Sequence, residues 1–173
     1  MMAILKNLII ALISSTLFIT KCFSTGLTLE SPAFASNKVI PQKFTCNGSN
    51  YSPELLWHDP NLGTQSYALI VNDPDAPTGN WIHWVLFNIP AQVKQLGEGT
   101  STPAGATSGL NSWNVTGYNG PCPPIGTHRY YFTLYALDTY LNLGPEATAK
   151  DVMEAMQGNI IDSAELVGLY SKN

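Results

Sequence analysis

Clusters of glycine, proline and asparagine divide this chain into short runs of apolar, aromatic and β-branched residues. The chain contains 14 glycines and 12 prolines among 173 residues, and most of them lie between the runs. Short runs of this composition, with turn residues at both ends, are typical of β-strands. We therefore predict strands at residues 27–30, 38–44, 67–72, 83–89, 128–137 and 166–170.

One segment near the C-terminus has the pattern of a helix. Thr148 can cap a helix over residues 149–157, and Gly158 follows where such a helix would end. Many strands with a single helix predict a mainly β fold, an antiparallel β-sandwich of Greek-key type with a short C-terminal α-helix.

Size and charge limit the classes of function. A chain of 173 residues has the length of one domain with its own core. Charged residues make up 12% of it and the formal net charge is −4. The chain lacks the basic stripe that binds a phosphate backbone, so we expect no nucleic-acid partner.

The N-terminus has the pattern of a secretory signal. Lys6 precedes an uncharged apolar run at residues 8–20, which is short for a membrane span. Cleavage after Ser24 would leave residues 25–173 as a single domain in the periplasm or outside the cell, with no membrane span. A retained anchor helix is the alternative, and lipidation of Cys22 is disfavoured by Lys21 directly before it.

Two stiff loops each end in a histidine at the start of a predicted strand. The first has the sequence DPDAP at residues 73–77 and WIHW at 81–84, and the second is GYNGPCPPIGTHRY at 117–130. Prolines hold such loops rigid, which lowers the entropy lost when a ligand binds. Imidazoles, carboxylates and aromatic walls in two converging loops suit a small anion, with Asp73 and Asp75 orienting the rings.

Strand alternation predicts which side chains share a face with each histidine. In the strand after the first loop, it predicts one face with Trp81, His83, Val85 and Phe87 and an opposite face with Ile82, Trp84, Leu86 and Asn88. In the strand after the second loop, it predicts one face with His128, Tyr130, Phe132 and Leu134 and an opposite face with Arg129, Tyr131, Thr133 and Tyr135. Arg129 therefore points away from His128 and is expected to pair with Asp75, whereas His58 is expected at a surface turn.

Signal removal leaves two cysteines, Cys46 and Cys122, each in a loop rich in turn residues. Outside the cytoplasm such a pair can oxidise, and a bridge would tie an N-terminal loop to the second histidine loop. Two free, half-buried thiols are the alternative, since a sequence does not give the distance between them.

Both loops resemble the signatures of the phosphatidylethanolamine-binding protein family, in its bacterial Raf-kinase-inhibitor-like branch. Flanking segments add to the resemblance, which runs from about residue 27 to residue 170: FTCNG at 44–48, SPEL at 52–55, FNIP at 87–90 and AELVG at 164–168. The C-terminal helical segment of eukaryotic members is not recognisable.

The resemblance implies a sandwich of two antiparallel sheets with a small surface pocket for phosphate-type anions or phospholipid head groups. The pocket positions that it implies are Asp73, Trp81, His83, Cys122, Pro123, Pro124, His128 and Tyr130. The supporting positions are Asp75, Pro77, Tyr118 and Arg129.

These observations favour an exported, non-enzymatic binding protein for a small anion, without metal or cofactor. The alternative is a regulator or inhibitor of a partner protein that uses the rigid loops as its contact surface. A hydrolase is disfavoured because the chain has no serine or cysteine in a sequence typical of a nucleophile elbow and no histidines with HExxH spacing.

Overall fold

The computed structural model describes residues 26–172, so the predicted signal peptide at residues 1–24 lies outside the described residues. A single turn of 3-10 helix spans Gln42–Phe44, and α1 spans Ala149–Ala155. The strands are β1 (Thr28–Glu30), β2 (Lys38–Val39), β3 (Leu55–His58), β4 (Ser66–Asp73), β5 (Trp81–Pro90), β6 (Gln95–Leu96), β7 (Thr107–Ser108), β8 (Thr127–Leu137) and β9 (Ile160–Ser171).

A six-stranded sheet and a three-stranded sheet pack face to face. The large sheet has the order β2-β9-β8-β4-β5-β7, and the small sheet has the order β1-β3-β6. The strands within them pair antiparallel except β2 and β9, which are parallel. The predicted mainly β sandwich with a short helix is confirmed, and β2 adds a parallel edge strand.

The large sheet buries apolar side chains on both faces. Its inner face packs Leu69 and Phe132 against Trp57 of the small sheet. Its outer face packs Phe87 against Val152 of α1. Burial on both faces explains why β4 is a nearly continuous apolar run, because neither side of it faces water.

The predicted strand at residues 38–44 is mostly wrong. The strand stops at Val39, Pro41 follows with a φ of −57°, and residues 42–44 form the 3-10 turn. Proline has no N–H to give to a sheet, so pairing ends there. Three short strands, β3, β6 and β7, were not predicted, and His58 lies exposed at the end of β3.

The start of the predicted helix is confirmed by its cap. The Thr148 hydroxyl accepts from the Asp151 N–H, and the Asp151 carboxylate accepts from the Thr148 N–H in return. The helix ends at Ala155, two residues earlier than predicted, before Gly158 with its φ of +80°. No helix within residues 26–172 combines the length and apolar character that crossing a membrane requires.

The prediction that His83 shares a face with Val85 and Phe87 is wrong. Trp84 pairs with Val71 and Ile82 pairs with Asn72, which leaves His83 as an extra residue in β5. Such a β-bulge interrupts the alternation of side chains. Val85 and Phe87 therefore pack on the outer face with α1, whereas the His83 ring contacts Tyr130 of the inner core.

The complementary grouping of Ile82, Trp84, Leu86 and Asn88 fails at the bulges as well. Ile82 packs against the outer cluster with α1, whereas Trp84 and Leu86 belong to the inner core. Asn88, with a φ of +56°, lies at a second irregularity and exchanges two hydrogen bonds with the Leu141 backbone of the outer cluster.

The alternation predicted for β8 is confirmed. Tyr130, Phe132 and Leu134 lie in the inner core, and His128 is buried on the same face. Arg129 on the opposite face is exposed. An unbroken register with β4 from Ser66 to Asn72 keeps this strand regular where β5 is not.

Candidate binding site

The two histidine loops meet at one edge of the large sheet. Asp73, the last residue of β4, pairs with Trp81 at the start of β5, and Asn72 pairs with Tyr131 near the start of β8. Because both neighbours run antiparallel to β4, their first residues lie beside its last ones. Sheet pairing thus brings together two loops that are far apart in the sequence.

A single cavity of about 210 Å³ opens to the surface between these loops. His83 and His128 both line it, so the two histidine loops converge on one cavity, as the sequence predicts. This volume lies below the roughly 300–1,000 Å³ of drug-sized ligand pockets, so it suits a small ligand. The lining residues are Asp73, Ala76, Pro77, Thr78, Trp81, His83, Trp113, Cys122, Pro123, Pro124 and His128.

Asp73 orients His128. The His128 Nδ1 lies 2.7 Å from the Asp73 Oδ2, and both side chains are buried. A carboxylate accepts, so Nδ1 carries the proton in this bond and Nε2 is left for a ligand. Nε2 is an acceptor while the ring is neutral and becomes a donor when the ring is protonated.

A backbone carbonyl orients His83, where the sequence predicted a carboxylate. The His83 Nδ1 lies 2.6 Å from the Asn119 carbonyl oxygen, to which it donates. Burial lowers the pKa of His83, and the bond to Asn119 and the charge of Asp73 oppose this shift only in part. The free protein therefore favours a neutral His83 whose Nε2 is an acceptor.

Aromatic rings enclose His83 on two sides. The centroid of the Trp113 ring lies 5.1 Å from that of His83, and the Tyr130 centroid lies 5.2 Å away. Trp81 packs edge-on against Trp113 at 5.3 Å. These contacts place His83 in a largely apolar environment, which accounts for its lowered pKa.

Tyr130 lies behind His83 and not on the cavity wall. Its hydroxyl is buried close to Asp73. Burial raises the pKa of Tyr130, and the nearby charge of Asp73 raises it further. A direct ligand contact by Tyr130 therefore stays a prediction.

Asp75 and Arg129 form the predicted ion pair. The Arg129 Nη2 donates to Oδ1 of Asp75 at 2.6 Å, and its Nε donates to Oδ2 at 2.8 Å. These bonds hold the pKa of Asp75 at about 2. Neither residue lines the cavity, so the pair supports the first loop from outside.

A disulfide joins Cys46 to Cys122, with 5.4 Å between the two Cα atoms. The structure thus decides between the two alternatives left open by the sequence. The Cys46 N–H also donates to the Pro121 carbonyl at 3.1 Å. The bridge fastens the wall formed by Pro123 and Pro124 to the segment after the 3-10 turn.

Further contacts pin the same loop at Tyr118 and Gly120. The Tyr118 hydroxyl donates to the Phe44 carbonyl at 2.9 Å, and its ring packs on Trp84, so Tyr118 supports the loop without forming the wall. The Gly120 N–H donates to the Asn50 Oδ1 at 2.8 Å. A Cβ on Gly120 would lie 2.2 Å from the Phe44 carbonyl oxygen, so only glycine fits.

Three lining residues are not predicted by the sequence motifs: Ala76, Thr78 and Trp113. Ala76 and Thr78 flank Pro77 in the first loop, so the loop itself was a sufficient signal for them. Trp113 lies between β7 and β8, outside both motifs, and only its tertiary contacts with Trp81 and His83 reveal its position.

Comparisons with known proteins agree with the fold and cover both histidine loops. The family model described as phosphatidylethanolamine-binding protein matches residues 30–171. A UPF0098 protein of Methanothermobacter thermautotrophicus is 46% identical over 150 residues, which are 84% of this chain and 99% of the relative.

Two solved structures have the same fold. A candidate phosphatidylethanolamine-binding protein homologue of Chlamydia trachomatis, CT736, is 42% identical with a TM-score of 0.83, covering 87% of this chain and 100% of that one. Escherichia coli YbcL, described as a member of the mammalian PEBP family, is 32% identical with a TM-score of 0.79, covering 85% and 99%. The chain therefore belongs to the phosphatidylethanolamine-binding protein family.

Proposed function

We propose that this protein is an exported, non-enzymatic binding protein for a small oxyanion, either free phosphate or the phosphate of a phosphorylated head group. The observation that carries the proposal is that His83 and His128 line one small, open cavity. Each ring uses its Nδ1 inside the protein, so each has its Nε2 left for the ligand.

The charge that attracts the anion comes from the histidines. The lining, taken over residues 26–172, contains no lysine and no arginine, and Arg129 is held by Asp75. A protonated imidazole donates a charge-assisted hydrogen bond, which is stronger than a neutral one. Anion binding is therefore coupled to proton uptake at His83, which burial keeps neutral in the free protein.

Binding without turnover is favoured by the side chains at the cavity. Cys122 is in a disulfide and so is not a free thiol nucleophile, and Thr78 supplies the only lining hydroxyl among the described residues. Export is supported by the N-terminal sequence pattern and by the disulfide, since disulfides persist in oxidising compartments.

The first test is the pH dependence of sulfate binding by calorimetry between about pH 5 and pH 8. Sulfate keeps the same charge over this range, so any change in affinity reports on the protein. Because the complex favours a protonated ring, the affinity is constant below the pKa of free His83. It then falls by up to about tenfold per pH unit as the pH rises through that pKa.

A His83→Gln variant is the control for this pH dependence. Glutamine keeps a polar side chain but does not titrate. The part of the pH-dependent fall in sulfate affinity that His83 causes should therefore disappear. Wild-type sulfate affinity that is independent of pH, or that rises with pH, would contradict proton-coupled binding.

A second prediction concerns Arg129. We expect Arg129→Ala to change phosphate affinity by less than about twofold, because the guanidinium is exposed, paired with Asp75 and absent from the lining. Calorimetry measures the phosphate affinity of Arg129→Ala. The matched variant is Asp75→Asn, which changes the other residue of the ion pair. A loss of more than about tenfold would place Arg129 in the site.

The alternative function, regulation or inhibition of a partner protein, is favoured by exposed apolar side chains in the second loop and in the turn before it. Trp113, Val115 and Ile125 are 42%, 48% and 79% exposed. A pull-down from the exported fraction should then capture a partner that is lost when Ile125 is changed to aspartate. Capture that is insensitive to this substitution counts against this alternative.

A further inference from the structure

Trp113 is carried by a short turn, residues 111–115, that the buried side chain of Asn111 organises. Oδ1 of Asn111 accepts from the backbone N–H of Trp113 at 3.0 Å and from that of Val115 at 3.4 Å. The backbone of Asn111 bonds to Val115 and Asn114, and Asn114 has a φ of +57°. These bonds define one backbone conformation for the turn and so position the Cα of Trp113.

The same turn is fastened to β5 next to His83. The Ile82 N–H donates to the Ser112 Oγ at 2.9 Å, and the Ser112 N–H donates to the Ile82 carbonyl at 3.0 Å. Asn111 Nδ2 also donates to the Gly117 carbonyl at 3.1 Å. These bonds tie the turn that carries Trp113 to the strand that carries His83.

The indole of Trp113 separates His83 from solvent. It packs against the rings of His83 and Trp81 and lines the cavity, while 42% of the residue remains exposed. Tyr130 covers His83 from the core side. Removal of the indole would therefore widen the cavity on its outer side and admit water to His83.

We propose that Trp113 sets the ligand size of this site: it admits inorganic phosphate or a terminal phosphate group and excludes phosphodiesters with a bulky substituent on each side. This inference rests on the proposed function, because it names the class of oxyanion for the same cavity. Pro123 and Pro124 also line the cavity and follow the disulfide-bonded Cys122, so this part of the wall is stiff and does not yield to a wider ligand.

Calorimetry with two probes, inorganic phosphate and glycerophosphoethanolamine, tests the size limit. In Trp113→Ala, the affinity ratio of the diester to phosphate should rise by about tenfold or more. Val115→Ala is the matched control, since Val115 lies in the same turn but not in the lining, and it should leave the ratio unchanged within about twofold. An unchanged ratio in Trp113→Ala overturns the proposal.

A measurement without ligand separates this inference from the proposed function. In an NMR pH titration of the purified protein, Trp113→Ala should raise the pKa of His83 toward its ordinary value, because water reaches the ring. An unchanged pKa overturns the role of Trp113 as the cover of His83. If the wild-type protein binds neither probe, the proposed function and the size limit fail together, whereas a raised pKa still establishes the cover.

Discussion

Replacement of both pocket histidines, His83→Ala together with His128→Ala, should lower phosphate affinity by at least about a hundredfold. Each protonated ring supplies one hydrogen bond from a charged donor, and such bonds contribute about 1.5–3 kcal/mol each. Loss of two of them removes about 3 kcal/mol or more, which is over a hundredfold in the dissociation constant. Calorimetric titration with inorganic phosphate near pH 6 measures the loss.

His58→Ala is the matched control, because it removes the same side chain from an exposed position at the end of β3. It should leave phosphate affinity unchanged. Removal of His128 leaves the buried Asp73 without its partner and costs stability, so thermal melting must show that the double variant is folded.

A second double variant, His83→Gln with His128→Asn, covers the case in which the alanine variant does not fold. The amide nitrogen of asparagine at position 128 takes the place of Nδ1 and can still donate to Asp73, but neither amide takes up a proton. Phosphate affinity close to that of the wild type in either folded variant would contradict the proposed site.

Loss of the disulfide, in Cys46→Ser with Cys122→Ser, should lower the free energy of unfolding by about 2–4 kcal/mol. The two cysteines are 76 residues apart, so the bridge closes a long loop and removes many conformations from the unfolded chain. For a domain of this size, the melting temperature should fall by roughly 5–15 °C. Urea and thermal unfolding measure both quantities.

In this variant, the free energy of phosphate binding should change much less than the free energy of unfolding. The wall loop keeps its hydrogen bonds from Gly120 to Asn50 and from Tyr118 to Phe44, so the cavity persists while the protein is folded. Dithiothreitol should lower the melting temperature of the wild type by a similar amount and leave the serine variant unchanged. Equal melting of the oxidised wild type and the serine variant would contradict a stabilising bridge.

The features that the sequence predicted correctly depend on residues close together in the chain. The capping box of α1 needs only Thr148 and Asp151, and the two faces of β8 follow from alternation within one strand. Turn residues around each run placed the centres of the long strands. The Arg129–Asp75 pair was also predicted although its residues are 54 positions apart, because strand alternation turns Arg129 away from His128.

The features that the sequence did not predict depend on cross-strand register. His83 faces the inner core because β5 has one residue more than β4 opposite it, and no local pattern marks that extra residue. The ring of His83 is oriented by the Asn119 carbonyl of the other loop, which no side-chain motif encodes. The short strands β3, β6 and β7 were missed because their two to four residues are too few to show a period.

The sequence by itself determined the fold class and the two rigid loops, since turn chemistry is a local property of the chain, and its resemblance to a known family implied most of the residues that line the cavity. Only the tertiary structure decided the face of His83, the closure of the disulfide and the presence of Trp113 over the site. These three depend on distances between segments far apart in sequence, and folding sets such distances through packing of the whole core.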